Sequence, residues 1–122
     1  MPLDRVIRFG PDGPSAECSR PSAPISGEPV QAVRNFYSDP SGSFFAGIWE
    51  STPGKWRVNY TEEEFCHLLS GTVVLEDDQG NVETFAAGDA FVIRAGFTGT
   101  WETVGVVRKL YAIFERPKSA AD

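Results

Sequence analysis

The sequence predicts an all-β chain, an antiparallel sandwich or barrel. About nine or ten short apolar or alternating runs recur roughly every 8–12 residues, the rhythm of strands joined by turns. Clusters of Gly, Asp, Asn, Pro and Ser separate those runs, and no stretch carries apolar side chains at helical spacing. Aromatic residues make up 12% of the 122 residues, with nine Phe and three Trp, a composition suited to a pleated, half-buried surface.

Residues 1–30 read as a proline-rich arm, because Pro2, Pro11, Pro14, Pro21, Pro24 and Pro29 interrupt any regular element. Within the arm, Arg5 to Phe9 alternates polar and apolar residues, which predicts a short edge strand or a strand lent to a partner subunit. A single domain is expected over residues 31–116, with a small polar tail over 117–122 that frays. Its first strand lies within Pro29 to Tyr37, and Ser38 to Ser43 is a turn cluster. Phe44 to Ser51 and Lys55 to Tyr60 form an antiparallel pair around Thr52-Pro53-Gly54.

Thr61 followed by Glu62, Glu63 and Glu64 resembles a capped helix start, yet the run behind it meets Gly71 too soon for a helix. The better reading is a strand from Glu64 to Leu69, a Ser70-Gly71 turn, and a second strand from Thr72 to Glu76. Asp77 to Asn81 is a hairpin loop, Val82 to Phe85 the return strand, and Ala87-Gly88-Asp89 a tight turn. Strands over Ala90 to Ile93, Thr98 to Val104 and Val106 to Glu115 complete the chain.

The formal charge is −6, from 11 basic and 17 acidic residues, which argues against nucleic acid and anionic membranes as partners. No apolar run reaches the ~18 residues of a membrane span and no signal-peptide core is evident, so a cytoplasmic location is expected. Cys18 and Cys66 lie in unlike contexts, one Pro/Ser-rich and one in an apolar strand, and are expected to be unpaired.

Glu64 followed by Gly71, then a two-strand hairpin, then Gly88-Asp89 and Arg94-Ala95-Gly96, resembles the paired signatures of the cupin superfamily. The run from Tyr60 to Gly71, with Gly88 to Glu102 and Val107 to Glu115, is similar to the compact cupins of the ureidoglycine aminohydrolase and ethanolamine-utilisation group. The resemblance covers about residues 44 to 115 and implies a double-stranded β-helix, the jelly-roll barrel. Metal-binding cupins project histidines and a glutamate into that barrel. Carried onto this chain, those slots read Val58, Tyr60, Glu64 and Gly99, of which only Glu64 is a good ligand for a divalent ion. The family's Glu/His mixture in aminohydrolase-like members is also absent, the usual proline before Ala95 is Arg94, and the first motif's glycine falls late, at Gly54. The resemblance therefore implies a degenerate site with no metal and no other cofactor expected, a divalent ion recruited by Glu64 with Tyr60 and water being the less favoured alternative.

Alternation from Glu64 sends Cys66 and Leu68 inward and His67 to the opposite face, where a structural role is expected for the histidine. The same bookkeeping places Tyr60, Glu64, Cys66, Phe97 and Trp101 around one cavity, with Gly99 leaving space for a ligand. On the last strand, periodicity alone leaves open whether Arg108 and Leu110 or Lys109 and Tyr111 turn inward; the resemblance implies the second pair.

Two functional readings follow. In one, a metal-independent enzyme uses Glu64, Lys109 and Tyr60 as its acid, base and electrostatic groups, while Trp101, Tyr111, Cys66 and Phe97 contact a small polar metabolite. In the other, the barrel binds or stores a ligand without chemistry. Cys66 is read foremost as a buried small hydrophobe, Trp49 and Trp56 as core, and Glu62 and Glu63 as surface residues. A homodimer is expected, through Arg5 to Phe9 and through Phe44-Phe45.

Overall fold

A computed structural model describes residues 3–117, so of the expected frayed tail only Pro117 lies within the described residues. The elements are all strands: β1 (Glu17–Ser19), β2 (Pro24–Ser26), β3 (Gln31–Ser38), β4 (Phe44–Ser51), β5 (Gly54–Asn59), β6 (Glu63–Asp77), β7 (Val82–Ala86), β8 (Ala90–Ile93) and β9 (Thr98–Phe114). Every pairing is antiparallel, and the sheet curls into a barrel. No helix among the described residues is long and apolar enough to cross a membrane.

The order β1-β3-β4-β9-β5-β2, with β6 joined to β7, β8 and β9, makes β6 and β9 the long members that run through both walls. The first half of β9 pairs with β5 on one side and its second half with β4, while β6 lies along its other edge throughout. Four separate strands were expected where β6 and β9 stand. The glycines do not end the strands; they let each strand turn a corner. Gly71 sits at a positive φ of 80° where the β6–β9 register shifts, and Gly105 at 72° marks the corresponding corner of β9.

The arm also differs from its sequence reading. Arg5 to Phe9 forms no strand, whereas β1 and β2, both inside the arm, extend the sheet against β3 and β5. Proline is tolerated at Pro24 because β2 is an edge strand. The arm is held by Phe9 stacked on Phe36 at 4.6 Å and by Arg34, whose guanidinium donates to the carbonyls of Pro14 and Gly10 at 2.8 and 3.1 Å. Of the aromatic pair expected at an interface, only Phe44 is exposed; Phe45 turns inward.

The core gathers Leu68, Val73, Val107 and three indoles, with Trp49 and Trp56 centroids 6.3 Å apart, Trp49 and Trp101 5.4 Å, and Trp56 and Trp101 6.4 Å. Glu64, Cys66 and Leu68 alternate with Phe65, His67 and Leu69, the first set buried and the second turned outward, as the alternation predicts. Both cysteines are free, Cys18 exposed and Cys66 buried.

The corner at Gly71 is demanding, because a Cβ there would lie 2.5 Å from the Val106 carbonyl and 2.7 Å from a Val107 methyl. Gly80, also at positive φ, has open space around it. Gly71→Ala is therefore expected to cost roughly 1–3 kcal/mol beyond Gly80→Ala in urea unfolding, since it adds overpacking to backbone strain. Equal losses in the two variants would refute the corner assignment.

Candidate functional site

The polar centre of the barrel is built by the neighbouring strands β6 and β9. Leu68 stands opposite Lys109, Cys66 opposite Tyr111 and Glu64 opposite Ile113. The Lys109 side chain therefore reaches back along β6, past Cys66, to Glu64. Its Nζ donates to Glu64 Oε2 at 2.7 Å and to Cys66 Sγ at 3.5 Å, and the thiol in turn donates to the same carboxylate oxygen at 3.5 Å. The two charged side chains are only 4% and 9% exposed, so this is an ion pair out of water.

Two indoles complete the ammonium's surroundings. Lys109 Nζ lies 4.7 Å from the Trp49 ring centroid and 4.4 Å from that of Trp101, both within cation–π range. The indole N–H groups are committed elsewhere, Trp49 donating to Gln31 Oε1 at 2.9 Å and Trp101 to Thr103 Oγ1 at 3.0 Å, which fixes both rings. The Tyr111 hydroxyl donates to Asn35 Oδ1 at 2.7 Å.

Burial is the largest single influence on Lys109 and would lower its pKa, but the adjacent Glu64 carboxylate, with Cys66 and Tyr60, together outweighs it, and the ammonium is held above its ordinary value. Burial pushes the Cys66 thiol up to about 12 and the Tyr111 phenol up to about 12, and raises the Tyr60 phenol too. At neutral pH this is a fixed ammonium beside neutral thiol and phenol groups.

These groups face a cavity of about 420 Å³ whose walls include Tyr60, Glu64, Trp101, Lys109 and Tyr111. Cys66 lies behind the ion pair, touching both of its members. Phe97 packs edge-on against Tyr60 but faces a different space, a larger cavity of about 620 Å³ between β7 and β8. The parity count misplaced it because Phe97 lies in the turn segment just before β9 begins at Thr98, where strand alternation no longer holds. Gly99 leaves no room for a ligand either, since a Cβ there would run into the Glu76 carbonyl of β6; it permits close approach of two backbones.

The alternation missed several residues. Gln31 and Asn35 enter the cavity from β3, and Trp49 and Phe45 from β4, through pairings no local pattern reveals. Glu62, read as surface, is half-buried at the cavity wall, and its carboxyl is raised by burial and then by the charges of Glu115 and Glu64. Glu63 is likewise engaged, accepting the Ala95 N–H at 2.9 Å and pinning the turn before Phe97.

The slots that hold an ion in metal-binding cupins do not fit one here. Glu64 is the sole strong donor among Val58, Tyr60, Glu64 and Gly99, and its Oε2 already has the Lys109 ammonium at 2.7 Å. Among the described residues no three His, Cys, Asp or Glu side chains are grouped to hold a metal.

A curled antiparallel barrel with its polar groups turned inward defines a small cupin. The chain belongs to the EutQ-like cupin domain family, whose pattern matches residues 38–111, more than half of its length. Among solved structures, a protein of unknown function from Pseudomonas syringae pv. tomato is 29% identical with a TM-score of 0.72, over 91% of this chain and 46% of that one. The chain thus spans about half the length of that relative. The Clostridium difficile EutQ protein shares the fold at 16% identity and a TM-score of 0.64, over 71% of this chain and 69% of its own. A protein of unknown function from Acidithiobacillus ferrooxidans matches at 20% identity and a TM-score of 0.60, over 91% and 97% of the two chains. None of the curated proteins compared with it is similar to this chain.

With its thiol pushed up to about 12 and no exposed surface, Cys66 should resist an aromatic disulfide reagent at about pH 8 while Cys18 reacts. Cys66 should become reactive only on unfolding. Rapid labelling of both thiols in the folded protein would contradict the buried pair.

Proposed function

We propose that the barrel is a metal-independent pocket for a small polar metabolite, in which the chain's own Lys109 supplies the positive charge that a bound ion supplies in metal-binding cupins. The observation that carries this reading is the Lys109–Glu64 contact of 2.7 Å between two indole faces, on the wall of a cavity of about 420 Å³. A space of that size, with aromatic and aliphatic walls and a few convergent polar groups, suits a small molecule.

The chemistry open to these residues is narrower than a symmetric acid/base pair. Lys109 is tied to Glu64 in the cavity wall, so its part in this reading is fixed positive charge rather than proton transfer. Glu64 is the group left to accept a proton from a ligand, with the Tyr60 phenol beside it as a neutral donor. If the protein is an enzyme, Glu64 is its base and Lys109 its electrostatic stabiliser. If it binds without reaction, the same groups orient the ligand.

Elemental analysis and a chelator treatment test the proposal together. Purified protein is expected to carry substoichiometric divalent metal and to keep its melting temperature after chelation. Stoichiometric metal, with a fall in melting temperature on its removal, would overturn the reading.

A further inference from the structure

We propose that the cavity beside Glu62 takes a small organic cation, an ammonium-bearing metabolite whose positive end meets aromatic faces and the Glu62 carboxylate. The inference rests on reading this cavity as a ligand pocket and adds what the ligand carries.

The positive charge of Lys109 is already used within the wall. Its Nζ donates to Glu64 and Cys66 and lies between the rings of Trp49 and Trp101. The Glu64 charge is likewise taken up by that pair. Glu62 remains, lining the same cavity, and neither ion pair of the described residues includes it. Setting Lys109 against Glu62 and Glu64 leaves the lining with one net negative charge, and Glu115 acts on Glu62 from the end of β9.

The raised carboxyl of Glu62 reports the same imbalance: burial and the repulsion of Glu115 and Glu64 are not offset by a cation of the chain. An anionic ligand would meet this excess of carboxylate and would have to draw Lys109 out of its cage. A neutral ligand would bury Glu62 further with nothing to balance it. A cation relieves both. The remaining walls include the aromatic side chains of Trp56, Tyr60, Tyr111 and Phe45, a lining whose ring quadrupoles can accept positive charge.

The test compares three probes of one shape by calorimetry and tryptophan fluorescence at low ionic strength: choline, the neutral alcohol in which carbon replaces its quaternary nitrogen, and the tert-butylacetate anion. Choline is expected to saturate and to bind at least about tenfold more tightly than the alcohol. Glu62→Gln should weaken choline severalfold without changing the affinity for the alcohol; because Glu62 is only half-buried, its near-ultraviolet circular dichroism should match the parent. Equal or tighter binding of the alcohol or the anion would overturn the cation inference while leaving the pocket reading intact. No saturable binding by any of the three would remove both.

Discussion

The buried Lys109–Glu64 pair is the constraint around which the barrel interior is arranged. Withdrawing two charges from water costs several kcal/mol per ion, and only close geometry with further polar contacts offsets that cost. Here the offset is assembled from both long strands: β6 brings Glu64 and Cys66, β9 brings Lys109, and their register sets how far the lysine must reach. The glycine corners at Gly71 and Gly105 let β6 and β9 stay side by side while the sheet curls from one wall to the other. The pair and the curvature of the barrel are thus one problem solved by the same two strands.

The tryptophans join core and site. Trp49 and Trp101 pack against each other at 5.4 Å and also flank the ammonium, so the core cannot be repacked without altering the electrostatics of the cavity. Their indole N–H groups are tied to Gln31 and Thr103, which leaves the rings little freedom. A wall of this kind is preorganised: its groups need not reorient when a ligand arrives. In the proposed reading, the pocket departs from a metal-binding cupin because its cation, Lys109, is part of the chain.

Much of this was legible in the sequence, for reasons that also explain the errors. Strand alternation placed Glu64, Cys66 and Leu68 inside and His67 outside because parity is strict within an unbroken strand. The inward turn of Lys109 and Tyr111 came from the resemblance, since periodicity fits either face. Parity failed at Phe97 because that residue precedes the first residue of β9 and is not in the strand. The glycines at 71 and 105 read as turns because local sequence does not distinguish a chain that reverses from one that bends. Asn35, Gln31 and Glu62 were missed because only the long-range pairing of β3 with β4, and the bend before β6, bring them to the cavity. Strand β2 was hidden by Pro24, which an edge position tolerates, and the three-residue β1 by the prolines at 14 and 21 on either side of it.

A double-mutant cycle on Glu64→Gln and Lys109→Met, read by urea unfolding, tests the central claim most directly. Each single change strands a buried partner and should cost roughly 3–5 kcal/mol, while the double variant should cost clearly less than their sum. Single losses that add to the double within about 0.5 kcal/mol would mean that the two residues do not depend on each other, and would contradict the account.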